Sequence, residues 1–213
     1  ILALSKRLKK QIRHFERFNR DGLTGTECAG KILVVLGVGN IGREMVSLGR
    51  GIGMRVLGGD LVKRVKDLEY VTLEEGIRSA DVLVSALPLT ETTKGMLNAA
   101  RLRKARKGVL FVNVSRGEIS PIADLKALLE EGLLGGVGLD VYEEEGVFAE
   151  HLRSGEGTLS ESGKILLSLK DDEHVLFTPH NAFNSTQALQ RILDTTIENI
   201  QGFYKKETKN EVR

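Results

Sequence analysis

The stretch Gly37-Val-Gly-Asn-Ile-Gly42 constrains the fold more than any other part of the sequence. Before it lies Lys31-Ile-Leu-Val-Val-Leu36, an apolar run of strand length; after it, Ile41, Met45, Leu48 and Ile52 recur at helical spacing. A G-x-G-x-x-G in that setting reads as strand, tight turn and helix, the opening unit of a dinucleotide-binding sheet. Gly37 permits the turn, Gly39 lets a pyrophosphate approach the backbone, and Gly42 lets helix and strand pack closely. The first helical residues, Asn40, Ile41 and Gly42, then offer free N–H groups and positive potential to the phosphates. Met54-Arg-Val-Leu-Gly-Gly-Asp60 reads as the next strand, and Asp60 follows Gly42 by 18 residues. A carboxylate there accepts hydrogen bonds from ribose hydroxyls and repels a 2′-phosphate, which favours NAD over NADP. Lys63 and Arg64 pull the other way, since a basic residue can accommodate that phosphate.

The alternation continues. Val82 to Leu87 is an apolar strand ended by Pro88. Leu97 to Lys107 reads as a helix with a basic end, and Val109 to Asn113 as a strand. Pro121 suits a first helical turn, with Ser120 as a candidate cap and Ile122, Leu125, Leu128 and Leu129 as the buried stripe. Gly135 to Asp140 is a glycine-rich strand. Glu143 to Asp172 is polar and charged and reads as an irregular surface insertion. Val175 to Thr178 is a last strand, and Asn184 with Gln187 opens a final helix with Leu189, Ile192, Leu193, Thr196, Ile200 and Phe203 inside. At the other end, Leu4, Leu8, Ile12, Phe15 and Phe18 predict one amphipathic helix with a solvated basic face. Strands alternating with helices imply a doubly wound, Rossmann-type parallel α/β sheet. Ligands bind such sheets beyond the carboxyl ends of the strands. Gly37, Asp60, Leu87, Pro88, Ser115, Arg116, Asp140 and His180 all follow predicted strands, so one crevice should collect them.

Composition narrows the function classes. A net charge of +2 over 213 residues gives no basic excess for nucleic acid, and no second basic patch with interleaved aromatics joins the N-terminal one. No apolar run approaches the roughly 20 residues of a membrane helix, so neither nucleic acid nor membrane is an expected partner. The single cysteine, Cys28, excludes an internal disulfide and a cysteine metal cluster, and no metal site is expected. A cytoplasmic setting fits this usage.

Three further segments carry a family resemblance. Phe111-Val-Asn-Val-Ser-Arg-Gly-Glu118, Gly138-Leu-Asp-Val-Tyr-Glu-Glu-Glu145 and Thr178-Pro-His-Asn-Ala-Phe183 resemble the arginine, glutamate and histidine segments of D-isomer-specific 2-hydroxyacid dehydrogenases. Ala86-Leu-Pro-Leu-Thr90 resembles their cofactor-contacting loop, which implicates Leu87 and Pro88. The resemblance implies that Arg116 binds the substrate carboxylate and polarises the carbonyl, a task for a forked donor. It implies that His180 is the general acid–base; an imidazole titrates near neutral pH, which suits both reaction directions. Glu145 would hold the imidazole and stabilise its protonated form, with Ser115 and Asp140 on the cofactor side. Chemistry alone does not choose among Glu143, Glu144 and Glu145; the family spacing, five residues after Asp140, selects Glu145. Tyr142 reads as packing, and His14, His151 and His174 as surface residues.

Two departures matter. Gly146 stands where the family usually has Pro, and 35 residues separate Glu145 from His180. That long link is more similar to D-lactate dehydrogenases than to phosphoglycerate dehydrogenases. Relative to the family's two-domain plan, the chain is expected to begin within the inter-domain helix (residues 1–20), to contain the NAD-binding domain (21–183) and to end in a segment returning to the substrate domain (184–213), most of which is absent. The expected reaction is hydride transfer between NAD(H) and a small D-2-hydroxy acid/2-keto acid pair such as D-lactate/pyruvate, in a homodimer formed through the cofactor domain. The alternatives are a non-enzymatic NAD-sensing interaction protein and another family dehydrogenase, acting on phosphoglycerate, glyoxylate, formate or phosphonate.

Overall fold

The computed structural model describes residues 1–207 and Asn210. The chain divides into two compact units, Ile1–Pro179 and His180–Arg213.

Among the described residues of the first unit, seven strands form one parallel sheet: β1 (Ile32–Leu36), β2 (Arg55–Gly59), β3 (Glu69–Tyr70), β4 (Val82–Ser85), β5 (Val109–Asn113), β6 (Leu134–Leu139) and β7 (Val175–Phe177). Their order is β3-β2-β1-β4-β5-β6-β7. The chain winds outward from β1 to one side, then returns to continue from β4 on the other, so the switch point lies between β1 and β4. Helices cover both faces, which is why β1 is apolar at every position rather than alternating. Its side chains still divide by the pleat. Leu33 and Val35 join a core with Val46, Met54 and Val56; Val34 and Leu36 join one with Ile77, Leu97, Phe111 and Leu125. The covering helices include α3 (Asn40–Gly51), α4 (Leu73–Ser79), α5 (Ala99–Leu102), α6 (Ile122–Glu130), α7 (Glu145–Ser154) and α8 (Glu161–Leu169).

The doubly wound sheet is as the alternation predicts; several local expectations change. Residues 143–172 are not an irregular insertion. They fold as α7 and α8, and α8 packs on α6 with Leu166 and Leu169 buried. Charged residues on the outer faces mask the short apolar stripe. β3 and α4 lie in a stretch with no predicted element; a capping box between Thr72 and Glu75 opens α4. The helix expected over 97–107 keeps only the four residues of α5. Ser120 does not cap α6: its hydroxyl accepts from Asn113 Nδ2 at 2.8 Å, and the Ile122 N–H donates instead to Glu143 Oε2 at 2.7 Å.

The N-terminal helix is broken into α1 (Leu2–Ser5) and α2 (Leu8–Phe15), with Arg7 between them in the left-handed region at φ 51°. Thr26 N donates to the Ser5 carbonyl at 2.8 Å, taking the acceptor that a continuing helix would use. Leu4 stays buried, over Gly136 and Gly138 of β6. The expected basic side is solvated only in part. Lys6, Arg13 and Arg17 are exposed as expected, but Lys9 Nζ donates to the carbonyls of Lys170, Asp172 and Val175 at 2.6–2.9 Å, and Lys10 pairs with Glu173 at 2.9 Å. Ile12, Phe15 and Phe18 are exposed. The unsatisfied carbonyls at the end of α8 and the acidic turn after it attract the cations.

The second unit is dominated by α9 (Thr186–Tyr204). Its cap is Ser185, whose hydroxyl accepts from Ala188 N at 3.2 Å, not the expected Asn184. Leu189, Ile192, Leu193, Ile200 and Phe203, read as inward-facing, are exposed. Within the C-terminal segment expected over 184–213, residues 208, 209 and 211–213 lie outside the described residues.

Candidate active site

The glycine turn joins β1 to α3 at the switch point. Gly37 has φ +87°, and a Cβ there would lie 2.6 Å from the Ala86 carbonyl oxygen, so both conformation and proximity to the end of β4 demand glycine. A Cβ on Gly42 would stand 1.9 Å from the Gly37 carbonyl oxygen. Gly39 differs: no described atom lies within 4 Å of where its Cβ would be. Gly39 is also the N-cap of α3, where no side chain bonds the first N–H groups and no acidic residue occupies the first turn. The turn thus presents open space, uncapped N–H donors and positive helix potential together, the arrangement a pyrophosphate needs. Asn40 turns its side chain to Arg43 at 2.7 Å, and Ile41 is exposed.

Asp60, at the end of β2, braces this turn. Its Oδ2 accepts from Val38 N at 2.6 Å and its Oδ1 from Val62 N at 2.9 Å. A carboxylate has about four lone-pair sites, so acceptor capacity is left for ribose hydroxyls. Arg64 stands 3.5 Å from Oδ2 and sets a positive charge beside the group that would repel a 2′-phosphate.

Beyond β4, Leu87 is half-buried and Pro88 exposed. Thr93 Oγ1 donates to the Pro88 carbonyl at 2.6 Å and fixes the loop. Beyond β5, Ser115 is buried and Arg116 exposed, its guanidinium donating to the Ser115 carbonyl at 2.6 Å. Gly117 lies flat against the next segment, since a Cβ on it would be 2.0 Å from the Tyr142 carbonyl carbon. The arginine loop and the glutamate segment are therefore in backbone contact. Beyond β6, Asp140 is buried; its N–H donates to the Asn113 carbonyl at 3.1 Å and its Oδ1 accepts from Thr178 Oγ1 at 2.5 Å.

The acidic run has three different surroundings. Glu143 is half-buried and caps α6, and burial raises its carboxyl above the ordinary carboxylate range. Glu144, left-handed at φ 51°, accepts from Ser162 Oγ at 2.8 Å, and its bonds to the Ser160 and Ser162 hydroxyls hold its carboxyl below that range. Glu145 is half-buried and opens α7. Tyr142 packs against Phe148 and Phe177 and donates to the Thr178 carbonyl at 2.7 Å; burial drives its phenol well above the usual value. His180 opens the second unit, half-buried and left-handed at φ 50°. His14, His151 and His174 are half-buried rather than fully on the surface. A cavity of about 340 Å³ lies at the opposite, amino ends of the strands, beside Lys31, Asp81, Arg106 and Gly135, and no motif residue lines it. The supporting roles of Asn113, Glu143 and Thr178, which hold the loops from below, were not foreseen in the sequence, although all three lie within or beside the motif segments.

An α/β sheet with this turn, this acidic brace and these loops at its carboxyl edge defines a dinucleotide-binding domain. Residues 1–182 match the family model described as D-isomer specific 2-hydroxyacid dehydrogenase, NAD binding domain. The chain belongs to that family, and NAD is the cofactor of the matched domain. It is 35% identical over 196 residues to 2-hydroxyacid dehydrogenase A of Aspergillus oryzae, covering 90% of this chain and 55% of the relative. It is 36% identical over 169 residues to glyoxylate reductase of Thermococcus kodakarensis, covering 72% and 50%. Among solved structures, D-lactate dehydrogenase from Aquifex aeolicus complexed with NAD and lactic acid superposes with a TM-score of 0.88 at 30% identity, covering 97% of this chain and 64% of that one. The chain thus spans between half and two thirds of the length of the relatives it matches.

Proposed function

We propose that this chain is the cofactor-binding portion of an NAD-dependent D-2-hydroxyacid dehydrogenase whose substrate pair is D-lactate and pyruvate. The observation that carries the reading is the placement of the glycine turn, Asp60, Arg116 and Asp140 at the carboxyl ends of the parallel strands β1, β2, β5 and β6. The glycine turn and Asp60 would hold NAD, which would supply hydride-acceptor chemistry for oxidation at C2 of the hydroxy acid. Arg116 pairs its fork with the substrate carboxylate and draws charge from the carbonyl. His180 takes the hydroxyl proton in one direction and returns it in the other, and Glu145 steadies the imidazolium. Residues 184–213 are read as the segment that returns to a substrate domain, and a homodimer through the cofactor domain is the expected assembly. The glyoxylate reductase similarity supports a second, narrower reading, reduction of glyoxylate by the same residues.

The test follows NADH oxidation by the full-length protein with pyruvate and with glyoxylate. His180→Ala is expected to remove most of the rate. Arg116→Lys should weaken both KM and kcat, because a point charge replaces a bidentate fork. Binding of NADH without turnover of either acid would refute both substrate readings.

A further inference from the structure

We propose that Asn113 is the positioning residue for Arg116, and that Ser85 and Ser115 form a buried hydroxyl relay that fixes the orientation of its amide. The proposal rests on the functional reading above only in giving Arg116 a substrate to meet.

Asn113 ends β5 with no solvent exposure. Its side chain makes four hydrogen bonds, all directed to the arginine loop. Oδ1 accepts from Ser115 N at 2.9 Å and from Ser115 Oγ at 2.7 Å. Nδ2 donates to the Arg116 carbonyl at 2.9 Å and to Ser120 Oγ at 2.8 Å. The amide therefore grips the chain on both sides of the Arg116 Cα, through the N–H of residue 115 and the C=O of residue 116. Arg116 is left in an ordinary extended conformation, φ −144° and ψ 142°, with its side chain exposed. A backbone held at both sides has its share of the ordering cost met before a substrate arrives, so that only the side chain's rotamer freedom is left to lose on binding.

The hydroxyl directions follow from the donor inventory. Oδ1 can only accept, so Ser115 donates its O–H to it. Ser115 Oγ, 2.9 Å from Ser85 Oγ, must then accept from Ser85. The relay runs Ser85 to Ser115 to Asn113 and is buried throughout. It links the end of β4, where the Leu87-Pro88 loop starts, to the loop carrying Arg116. A buried network that is fully satisfied specifies one geometry, whereas a partly satisfied one is costly. None of the four Asn113 bonds belongs to the sheet ladder, so the side chain serves the loop rather than the strand pairing.

Asn113→Asp keeps shape and volume but replaces the two N–H donors with an oxygen facing the Arg116 carbonyl. In the 213-residue chain, amide exchange of the 114–120 peptide is expected to rise at least about fivefold, the order of one lost hydrogen bond, while β1 and β2 stay unchanged. Ser85→Ala, at the far end of the relay, is the milder variant should the first not fold, and should speed exchange in the same peptide. In the full-length protein, Asn113→Asp is expected to raise KM for the 2-oxo acid about tenfold with KM for NADH altered less than twofold; a tenfold loss is the order of one weakened charge-assisted bond. A purely structural role would lower kcat through the active fraction and leave KM alone, which would overturn the proposal. Unchanged exchange at 114–120 in both variants would overturn it whatever the kinetics. Faster exchange in a protein whose wild type turns over no 2-oxo acid supports the positioning role and refutes the enzyme reading instead.

Discussion

Gly39 and Gly42 lie three residues apart in one turn, and alanine at either should weaken NAD, yet only at Gly42 should it destabilise the fold. At Gly42 the new Cβ would be 1.9 Å from the Gly37 carbonyl oxygen, when ordinary contact starts near 3.4 Å, so α3 must retreat from β1 by about 1.5 Å. Overpacking against backbone costs about 3 kcal/mol at the upper end of its usual range. Alanine recovers about 1 kcal/mol of helix propensity over glycine. The net loss of about 2 kcal/mol lowers Tm by roughly 4–8 °C for a chain of this size. The same retreat moves the N–H groups that face the pyrophosphate, so NAD affinity should fall more than about tenfold. At Gly39 the Cβ meets no described atom within 4 Å. Stability should change by less than about 1 kcal/mol, the order of a Gly-to-Ala difference at an N-cap, while the methyl fills the approach to the phosphates and weakens NAD by a similar factor. Differential scanning fluorimetry and isothermal calorimetry on both variants separate the effects. A Gly42→Ala protein as stable as wild type, or a Gly39→Ala protein with wild-type NAD affinity, would refute the reasoning.

Three further outcomes are expected. Asp60→Ala should weaken NAD and narrow its advantage over NADP, read by titrating both cofactors calorimetrically; an unchanged ratio would show that Asp60 does not select. Lys9→Ala removes the cation from the carbonyls of Lys170, Asp172 and Val175 and should cost about 1–2 kcal/mol, seen in urea melts together with faster amide exchange in α2; a neutral result would place the anchor of α2 elsewhere. Glu143→Gln removes a carboxyl whose folded value burial raises above 4.5. The protonated form is thus favoured in the fold, and its stabilisation is present below the unfolded value and lost as pH rises through the folded one. The Gln variant should therefore gain Tm relative to wild type as pH rises from 4.5 through the raised folded value; a difference that shrinks as pH rises would show the opposite sign of coupling.

The sheet was legible because its signals are local. Ile32–Leu36 and Val109–Asn113 are short apolar runs, and glycine spacing alone announces the turn between β1 and α3. The positions of Gly37, Asp60, Leu87, Arg116 and Asp140 were legible for a related reason: in a parallel sheet the loops after these strands leave from one edge, so sequence order translates into spatial position. What could not be read depends on partners far apart in the chain. Glu143 caps α6 across 21 residues and Lys9 reaches carbonyls more than 160 residues away. α7 and α8 hid because Glu, Lys and Ser on their outer faces dilute the few apolar residues that α8 buries. α2 misled for the opposite reason: its apolar stripe is real, but Lys9 and Lys10 turn toward the carbonyls and acidic residues that follow α8.

The double duty of Asp60 has a consequence for anyone redesigning cofactor choice. The carboxylate proposed to discriminate at the ribose also ties down Val38, in the middle of the glycine turn. Deleting the charge to admit a 2′-phosphate also cuts the tether, so the substitution that relaxes selectivity loosens the grip on any dinucleotide. A successful exchange has to separate those properties, keeping a neutral acceptor within reach of the Val38 N–H, as Asn or Ser could, while leaving Arg64 to meet the added phosphate. Evolution toward NADP from this sequence would accordingly pass through polar replacements at position 60 rather than through alanine or glycine.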